Sequence, residues 1–322
     1  MRFLPFLAAA TLALGTAPAP AGAEEAFEFV AIGDVPYFVP EDYPAWERLI
    51  GAINRSNPAF TVHVGDFKKG STPCDDETFL KIRDYFNAFE APLVYTPGDN
   101  EWTDCHRRGA DPIERLGRLR QLFFATPESP GKRKLRLTRQ SETRGFEKFS
   151  ENARWSLGPV VFATVHSVGS NNNLLLDKPE AFQEYLERNR ADIAWIRETY
   201  QIARRDGAKG VAICTQANPF FEKSLEERSG YNGLIDALSS EAQAYSGQTL
   251  FVHGDTHSFR LDKPLKRGKD PSYNLMRFTR LEVLAEKDIH GVRVKVDPAN
   301  PDVFTFGFLT VPENLDAKGY SK

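Results

Sequence analysis

The chain has 322 residues, of which 41% are hydrophobic and 12% are aromatic, a composition typical of a packed globular protein. Its formal net charge of −3 argues against nucleic acid or an acidic membrane surface as a default partner. No Ser-, Gly- or Pro-rich linker divides the sequence, so we predict a single domain over residues 24–322.

The N-terminus has the pattern of a secretory signal peptide. A basic residue, Arg2, precedes an apolar stretch over residues 4–14, and residues 21–23 are small, as at a cleavage site. We therefore predict that residues 1–23 are removed and that the protein is exported, to the periplasm or as a secreted protein. No later stretch approaches the roughly 18 to 20 apolar residues that a membrane span needs, so no membrane span is expected.

Four strand-like runs in the sequence each end on a Gly-Asp pair. The four carboxyl groups belong to Asp34, Asp66, Asp99 and Asp255. If the runs are neighbouring parallel strands, these groups gather at the carboxyl edge of the sheet, where open α/β sheets bind ligands. Four carboxylates in one crevice repel each other, so the pattern predicts a bound cation. A single Gly-Asp pair can instead be an ordinary turn in which the aspartate caps the next helix.

Apolar residues spaced by three and four predict the helices. We expect helices over about residues 46–53, 76–89, 113–124, 179–205 and 231–245. The order β-α-β-α-β up to Asp99 is typical of a parallel sheet with right-handed crossovers. Further strands are predicted over residues 146–150 and 153–157 as a hairpin, over 160–166 and 211–215, and, after Pro271, in an antiparallel arrangement over 275–284, 292–296 and 303–309.

The cysteines fit an oxidising compartment. Cys74 and Cys105 each lie shortly beyond a Gly-Asp turn, in loops expected at the same sheet edge, so they are candidates for a disulfide. Cys214 lies within an apolar run and is interpreted as a buried free thiol. The absence of Cys-x-x-Cys spacing argues against a zinc site built from these residues.

The order of the motifs resembles that of a known family. After two Gly-Asp turns come Pro-Gly-Asp-Asn-Glu at residues 97–101, the polar residue Gln216 after a strand, and Gly-Asp-Thr-His at residues 254–257. Over roughly residues 27–310 this order resembles the calcineurin-like metallophosphoesterases. The resemblance implies a four-layered α/β/β/α sandwich of two mixed sheets flanked by helices. It also implies hydrolysis of phosphate mono- or diesters by a metal-bound hydroxide.

The resemblance further implies ligands for two divalent metal ions. Asp34 and His257 correspond to ligands of the first ion, Asp66 to the bridging carboxylate, and Asp99 and Gln216 to ligands of the second ion. The full implied set is Asp34, Asp66, Asp99, Gln216, Asp255 and His257. Because carboxylate and amide oxygens replace imidazoles of the family, the set favours Mn²⁺, Mg²⁺ or Ca²⁺ over zinc and iron.

Three positions depart from the family pattern. Pro36 stands where the first motif has a histidine, and Lys69 where the second has an aspartate. Asn100 replaces the catalytic histidine, and an amide donates a hydrogen bond but delivers no proton. General acid catalysis typically contributes about 10²- to 10⁴-fold, so turnover should be slow unless another group substitutes. His106 and His166, expected near the same sheet edge, are the candidates.

Two function classes remain open. The first is a metal-dependent phosphoesterase that acts on a small phosphorylated substrate or a phosphodiester, with Lys68, Lys69 or Arg107 as phosphate contacts. The second is a catalytically weak or inactive protein of the same fold that binds a metal or a ligand. A dinucleotide-binding sheet is disfavoured because no Gly-x-Gly-x-x-Gly follows any predicted strand.

Overall fold

The computed structural model describes residues 25–220, 229–268, 272–284 and 286–315. The expected signal peptide, residues 1–23, lies outside the described residues. Among the helices of the described ranges, none combines the length and the apolar character that crossing a bilayer requires.

Twelve strands within the described residues form two mixed sheets. In chain order they are β1 (Phe27–Ile32), β2 (Thr61–His63), β3 (Leu93–Tyr95), β4 (Thr138–Arg139), β5 (Ala153–Leu157), β6 (Val160–Thr164), β7 (Gly210–Cys214), β8 (Gln248–His253), β9 (Arg260–Asp262), β10 (Phe278–Glu282), β11 (Gly291–Val296) and β12 (Phe304–Leu309). The first sheet has the order β12-β11-β1-β2-β3, and the second has the order β4-β5-β6-β7-β8-β10-β9. Strands β1 to β3 are mutually parallel, and so are β6, β7, β8 and β10.

The helices follow local start signals in the sequence. They are α1 (Tyr43–Ser56), α2 (Asp76–Asn87), α3 (Pro112–Phe123), the single turn α4 (Gly169–Asn172), α5 (Pro179–Arg205), α6 (Asn232–Ala244) and α7 (Pro312–Leu315). The side chains of Asp75 and Asp111 accept hydrogen bonds from the first turns of α2 and α3. Pro179 opens α5, where its missing N–H costs nothing.

Three apolar cores separate four layers. Helices α1 to α3 pack on the first sheet around Trp46 and Leu119. The second core lies between the sheets, where the rings of Phe29 and Phe162 meet edge to face at 5.6 Å. In the third core, α5 and α6 cover the second sheet around Trp195. The predicted α/β/β/α sandwich of two mixed sheets flanked by helices is therefore confirmed, and burial of these apolar faces drives its formation.

Three local predictions are wrong. Residues 146–150 form successive turns, in which the Phe149 N–H donates to the Phe146 carbonyl, so β5 forms its hairpin with β6 instead. Strand β8, which ends before Asp255, lies in the second sheet, because the strands from β4 to β10 build a sheet of their own. Strand β10, after Pro271, is parallel to β8 rather than antiparallel to its neighbours throughout.

Candidate metal centre

The loops that follow five strands come together at the carboxyl ends of the strands of both sheets. Asp34, Asp66 and Asp99 follow β1, β2 and β3 of the first sheet, whereas Gln216 and Asp255 follow β7 and β8 of the second. The Asp255 N–H donates to Asp34 Oδ1 at 3.2 Å, and Gln216 Nε2 donates to Asp66 Oδ2 at 3.2 Å. Both sheets therefore contribute to one crevice, which we define by the four aspartates Asp34, Asp66, Asp99 and Asp255.

The backbone of the crevice adopts left-handed conformations that few residues tolerate. The angle φ is 56° at Asp34, 58° at Asp66, 82° at Asp255 and 54° at His257. Residues with a Cβ disfavour this region, and aspartate is among those that enter it most readily. Gly98 is needed for a different reason, because a Cβ there would lie 2.0 Å from Asp66 Oδ1. Strain of this kind concentrates at functional sites, where it fixes the direction of side chains.

Asp34, Asp66 and His257 form what we call the first position. Each offers one ligand atom, and the three atoms lie within 4.8 Å of one another. Asp34 Oδ2 is buried and has no hydrogen-bond partner among the described residues. A buried carboxylate oxygen without a partner is costly, and a divalent cation would satisfy it. Two carboxylates and one imidazole therefore fit one divalent cation at this position.

His257 is oriented by side chains that the sequence analysis missed. Its Nδ1 lies 2.7 Å from Glu286 Oε2, and its ring meets the Tyr37 ring edge to face at 4.9 Å. Its Nε2 faces Asp34 Oδ1 at 3.6 Å. A carboxylate beside one imidazole nitrogen leaves the other nitrogen free for a metal, an arrangement common among metal-binding histidines. Glu286 carries no sequence signal, because it reaches the crevice from the segment between β10 and β11.

Asp66, Asp99 and Asp255 surround what we call the second position, and the Gln216 side chain fills it. Gln216 Nε2 lies 3.2 Å from Asp66 Oδ2, 3.1 Å from Asp99 Oδ1 and 3.3 Å from Asp255 Oδ1. Its Oε1 accepts a hydrogen bond of 2.6 Å from the Gly169 N–H. The amide nitrogen, rather than the oxygen, therefore faces the carboxylates, which differs from the ligand role that the resemblance implies.

Burial raises the pKa of the carboxyl groups in the crevice. The pKa values of Asp34 and Asp66 lie well above the ordinary value, because burial disfavours the charged form and neighbouring carboxylates add repulsion. Burial, followed by repulsion from Asp99, raises the pKa of Asp255 to about 8. A divalent cation would favour the ionised forms and offset much of this cost.

Lys68, one of three basic residues expected to contact phosphate, has its charged group engaged by backbone carbonyls of the chain. The side chain is fully buried. Its Nζ donates to the carbonyl oxygens of Asn100 at 2.5 Å and Thr72 at 3.1 Å. Burial lowers the pKa of Lys68. This placement supports a structural role that joins two loops, and it does not support a phosphate contact.

Lys69 and Arg107 are accessible to solvent. Lys69 is exposed, with its Nζ 5.3 Å from the centroid of the Phe38 ring. Arg107 has 52% of its side chain exposed, and its Nη1 lies 2.9 Å from Asp104 Oδ2. Arg107 also lies close enough to Asp99 to stabilise its carboxylate. Of the three basic residues, Arg107 is therefore placed best to meet an anion at the crevice.

The two histidines considered as substitute acids lie in different surroundings. His106 is exposed in the 3-10 helix Thr103–Arg108, and its Nδ1 lies 2.6 Å from the Thr103 carbonyl oxygen. His166 is fully buried beside the Trp102 ring, with its Nδ1 2.8 Å from Glu151 Oε1. A sealed imidazole cannot deliver a proton to a substrate, so the structure does not support a catalytic role for His166.

Asn100 and Tyr37 are neutral polar residues beside the carboxylates. The Tyr37 phenol interacts with the Asn100 side chain, and the backbone N–H of Asn100 donates to Asp66 Oδ1 at 3.3 Å. Burial, followed by repulsion from Asp66, raises the pKa of Tyr37, so the phenol keeps its proton. Tyr37 was not among the predicted site residues, although it directly follows Pro36, where the family pattern is broken.

A disulfide joins Cys74 and Cys105, whose Cα atoms are 5.7 Å apart. Cys74 lies in the loop after β2 and Cys105 in the loop after β3, so the bond ties together the loops that carry Asp66 and Asp99. Cys214 is a buried free thiol in β7. The bridge spans a sequence separation of 31 residues and restricts the unfolded chain accordingly.

Solved structures with similar folds include two phosphatases. A dimetal phosphatase from Danio rerio matches with a TM-score of 0.51 and 12% identity, over 88% of this chain and 99% of that chain. The purple acid phosphatase PPD1 from yellow lupin seeds matches with a TM-score of 0.50 and 13% identity, over 84% of this chain and 49% of that chain. GAP50 of Plasmodium, described as the anchor in the inner membrane complex, matches with a TM-score of 0.51 and 10% identity, over 91% of this chain and 94% of that chain.

At identities this low, the similarities concern the fold. No family model and no curated protein matches the sequence. The chain nevertheless has the metallophosphoesterase fold that the order of its motifs predicted. What the crevice does must be argued from its own residues, because the same fold occurs in two phosphatases and in a protein described as an anchor.

Proposed function

We propose that this protein is a divalent-cation-dependent hydrolase of phosphate mono- or diesters. The proposal rests on the first position, where the buried Asp34 Oδ2 has no hydrogen-bond partner among the described residues and lies beside Asp66 and His257. The fold shared with proteins described as phosphatases supports this reaction class. A divalent cation bound there would polarise a phosphoryl oxygen and lower the pKa of a coordinated water.

The donor set supports a hard or borderline cation. Two of the three ligands at the first position are carboxylates, and the third is the imidazole of His257. Carboxylate oxygens suit Mn²⁺, Mg²⁺ and Ca²⁺, whereas zinc and iron sites of this kind use more imidazole or thiolate. We therefore propose Mn²⁺, Mg²⁺ or Ca²⁺ as the resident ion.

Other residues of the chain bind and orient the phosphoryl group. The half-exposed guanidinium of Arg107 is suited to phosphate oxygens, with which it can form two parallel hydrogen bonds. Asn100 and Tyr37 are hydrogen-bond donors beside the same carboxylates. Preorganised donors of this kind stabilise negative charge that develops on a phosphoryl oxygen. The Asn100 amide delivers no proton, and the raised pKa of Tyr37 makes its phenol a poor proton donor to a leaving group at neutral pH.

The loss of the family's catalytic histidine restricts the substrates. Asn100 occupies the family's histidine position, and His166 is sealed from solvent. A missing general acid typically costs about 10²- to 10⁴-fold in rate, and this cost is largest for poor leaving groups. We therefore expect a preference for esters of acidic alcohols or phenols, which leave without being protonated.

Hydrolysis of p-nitrophenyl phosphate and bis-p-nitrophenyl phosphate in the presence of Mn²⁺ tests the proposal. The wild-type protein should release nitrophenolate in a reaction that EDTA abolishes. Asp34→Asn and Asp66→Asn should fall to the EDTA background, because each removes a ligand of the first position. Asp84→Asn is the matched control, since it removes a carboxylate that is 72% exposed on α2, and it should retain wild-type activity.

A cation-binding protein without turnover is the second candidate. The Plasmodium neighbour, described as an anchor rather than as an enzyme, supports it. The replacement of the catalytic histidine by Asn100 supports it as well. Binding of Mn²⁺ that depends on Asp34, without hydrolysis of either substrate, would favour this candidate and overturn the proposed hydrolase.

A further inference from the structure

The orientation of the Gln216 amide is fixed by its surroundings. A backbone N–H can only donate, so the 2.6 Å bond from the Gly169 N–H identifies the partner atom as Gln216 Oε1. The NH₂ group must then point at Asp66, Asp99 and Asp255, all within 3.3 Å. In the reversed orientation, the Gln216 NH₂ group would face the Gly169 N–H, and the amide oxygen would face three carboxylates.

Donors of the chain also reach the remaining carboxylate oxygens of the second position. Asp99 Oδ2 accepts from Ser170 Oγ at 2.9 Å, and Asp255 Oδ2 accepts from the Asn218 N–H at 3.1 Å. The other oxygen of each carboxylate accepts from the amide described above. The first position differs, because Asp34 Oδ2 has no hydrogen-bond partner among the described residues. Each carboxylate oxygen of the second position thus has a donor atom of the chain within 3.3 Å, whereas the first position is left open to an ion.

The turn α4, which supplies the Ser170 hydroxyl and the Gly169 N–H, is strained and firmly held. Residues 170–173 have successive φ values of 54°, 53°, 56° and 60°, a left-handed run that residues with a Cβ rarely adopt. Arg188 Nη1 donates to Asn172 Oδ1 at 2.5 Å, and the Asn172 N–H donates to the Tyr231 hydroxyl at 3.2 Å. Such a conformation persists only where the surrounding structure enforces it. The position of the Ser170 hydroxyl is therefore built into the fold.

The α4 backbone also packs directly on the carboxylates. A Cβ on Gly169 would lie 2.6 Å from both Asp99 Oδ2 and Asp255 Oδ1. Only glycine fits there, and its close approach is what brings its N–H to Gln216 Oε1. The backbone N–H, the amide and the hydroxyl therefore form one connected arrangement around the second position.

We propose that the Gln216 amide takes the place of a second cation, so that the protein binds one divalent cation per chain, at Asp34, Asp66 and His257. The order of the motifs implies two ions, and the second ion would need a lone pair from the side chain at residue 216. The amide instead presents hydrogens, which attract the same carboxylates and repel a cation. This inference rests on the cation of the proposed function and is independent of turnover.

The test is a count of the Mn²⁺ ions bound per chain to purified protein that comprises residues 24–322. The protein is loaded with Mn²⁺, desalted and analysed by elemental analysis, and its electron paramagnetic resonance spectrum is recorded. We expect one Mn²⁺ per chain and the spectrum of a magnetically isolated ion. Asp34→Asn should lose that ion.

Replacement of Gln216 should open the second position. Gln216→His replaces the amide with an imidazole nitrogen that carries a lone pair. This variant should bind two Mn²⁺ ions per chain and give the spectrum of a magnetically coupled pair. Gln216→Glu, which keeps the size of the side chain and supplies oxygens, is the second variant if the histidine impairs folding. Gln183→His, at an exposed site on α5, is the matched control and should still bind one ion.

The outcomes separate this inference from the proposed function. Two coupled ions in the wild-type protein would overturn the one-ion inference and leave the hydrolase proposal intact. A folded Gln216→His and a folded Gln216→Glu that both bind a single ion would overturn the role assigned to the amide. No bound Mn²⁺ in the wild type would remove the cation on which both proposals rest.

Discussion

Two buried groups of ionisable side chains differ in how their buried negative charge is neutralised. One is the crevice of four aspartates. The other, which we call the arginine cluster, consists of Arg120, Glu151, Glu184 and Arg188. The turn α4 contacts both, since Ser170 donates to Asp99 in the crevice and Asn172 accepts from Arg188 in the arginine cluster.

The arginine cluster supplies its own cations. Arg188 Nε donates to Glu184 Oε1 at 2.6 Å, and Arg120 Nη2 donates to Glu151 Oε1 at 2.6 Å. Burial acts to raise the pKa of Glu151 and Glu184, but the adjacent guanidinium groups outweigh it, so both pKa values lie below the ordinary value. In the crevice, burial prevails and the pKa values of Asp34 and Asp66 are raised.

The difference shows where the chain relies on a partner from solution. Within the arginine cluster every carboxylate has a guanidinium beside it, and the cluster supports the position of α4. At the first position of the crevice, Asp34 Oδ2 has no partner among the described residues. Self-neutralised charges indicate a structural role, and unneutralised buried charges indicate a binding role.

The largest effect should come from breaking the arginine cluster. Arg188→Met leaves Glu184 buried without its cation and removes the bonds to Asn172, so the free energy of unfolding should fall by about 3 to 5 kcal/mol. Urea denaturation measures the loss. Arg205→Met is the control, because Arg205 is 70% exposed and pairs only with its neighbour Asp206 among the described residues. Equal stability of the two variants would contradict a structural role for the cluster.

The crevice should respond in the opposite way. Mn²⁺ at about 100 times its dissociation constant should raise the free energy of unfolding by about 2.7 kcal/mol. Asp34→Asn should lose this increment, yet in EDTA it should be at least as stable as the wild type, because a neutral amide replaces a buried unpaired carboxylate. Urea denaturation with Mn²⁺ and with EDTA distinguishes the two cases. An Asp34→Asn variant destabilised in EDTA as strongly as Arg188→Met would break the comparison.

Much of the frame of the crevice could be predicted from local sequence. The helix predicted over residues 179–205 is observed with those bounds, because Pro179 marks its start and buried residues recur at helical spacing as far as Ala203. The gathering of the four aspartates follows from the position of Gly-Asp turns at strand ends, even though β8 belongs to the other sheet. Residues 146–150 form turns rather than the predicted strand, and the prediction failed there because Phe146 and Phe149 have the aromatic character typical of strands.

The finer chemistry of the crevice depends on contacts between distant residues. The direction of the Gln216 amide is set by the Gly169 N–H, which is 47 residues away in the chain. Glu286 reaches His257 from a different part of the fold, and Tyr37 meets Asn100 only after β1 and β3 have been assembled side by side with β2. The sequence therefore indicates which residues gather, whereas the folded structure determines which atoms face the ion.

Over a change of one pH unit, the smallest effect concerns Asp192, the neighbour of the arginine cluster that the arginines do not fully neutralise. Its Oδ1 accepts from Asn152 at 2.8 Å, but Oδ2 lies 3.9 Å from Arg188 Nη1 and has no hydrogen-bond partner among the described residues. Burial raises the pKa of Asp192 to about 8, although Arg188 opposes the shift. In this respect Asp192 resembles the aspartates of the crevice.

This shift should make stability depend on pH. The ordinary pKa is 3.8, so between about pH 4 and pH 8 the folded state keeps a proton that the unfolded state has lost. The free energy of unfolding should therefore fall as pH rises through this window, by at most about 1.4 kcal/mol per pH unit. Asp192→Asn does not titrate at this position, so urea denaturation should show a shallower decline of its free energy of unfolding with pH.

The exposed variant Asp206→Asn is the control. Its free energy of unfolding should change with pH as that of the wild type does, because the hydrogen bond from Arg205 lowers the pKa of Asp206 to below the window. If the free energy of unfolding of Asp192→Asn also falls with pH as steeply as that of the wild type, Asp192 belongs with the neutralised carboxylates. A nearby guanidinium without a direct hydrogen bond would then be enough to neutralise a buried carboxylate, and distance from a guanidinium would be what separates the crevice from the arginine cluster.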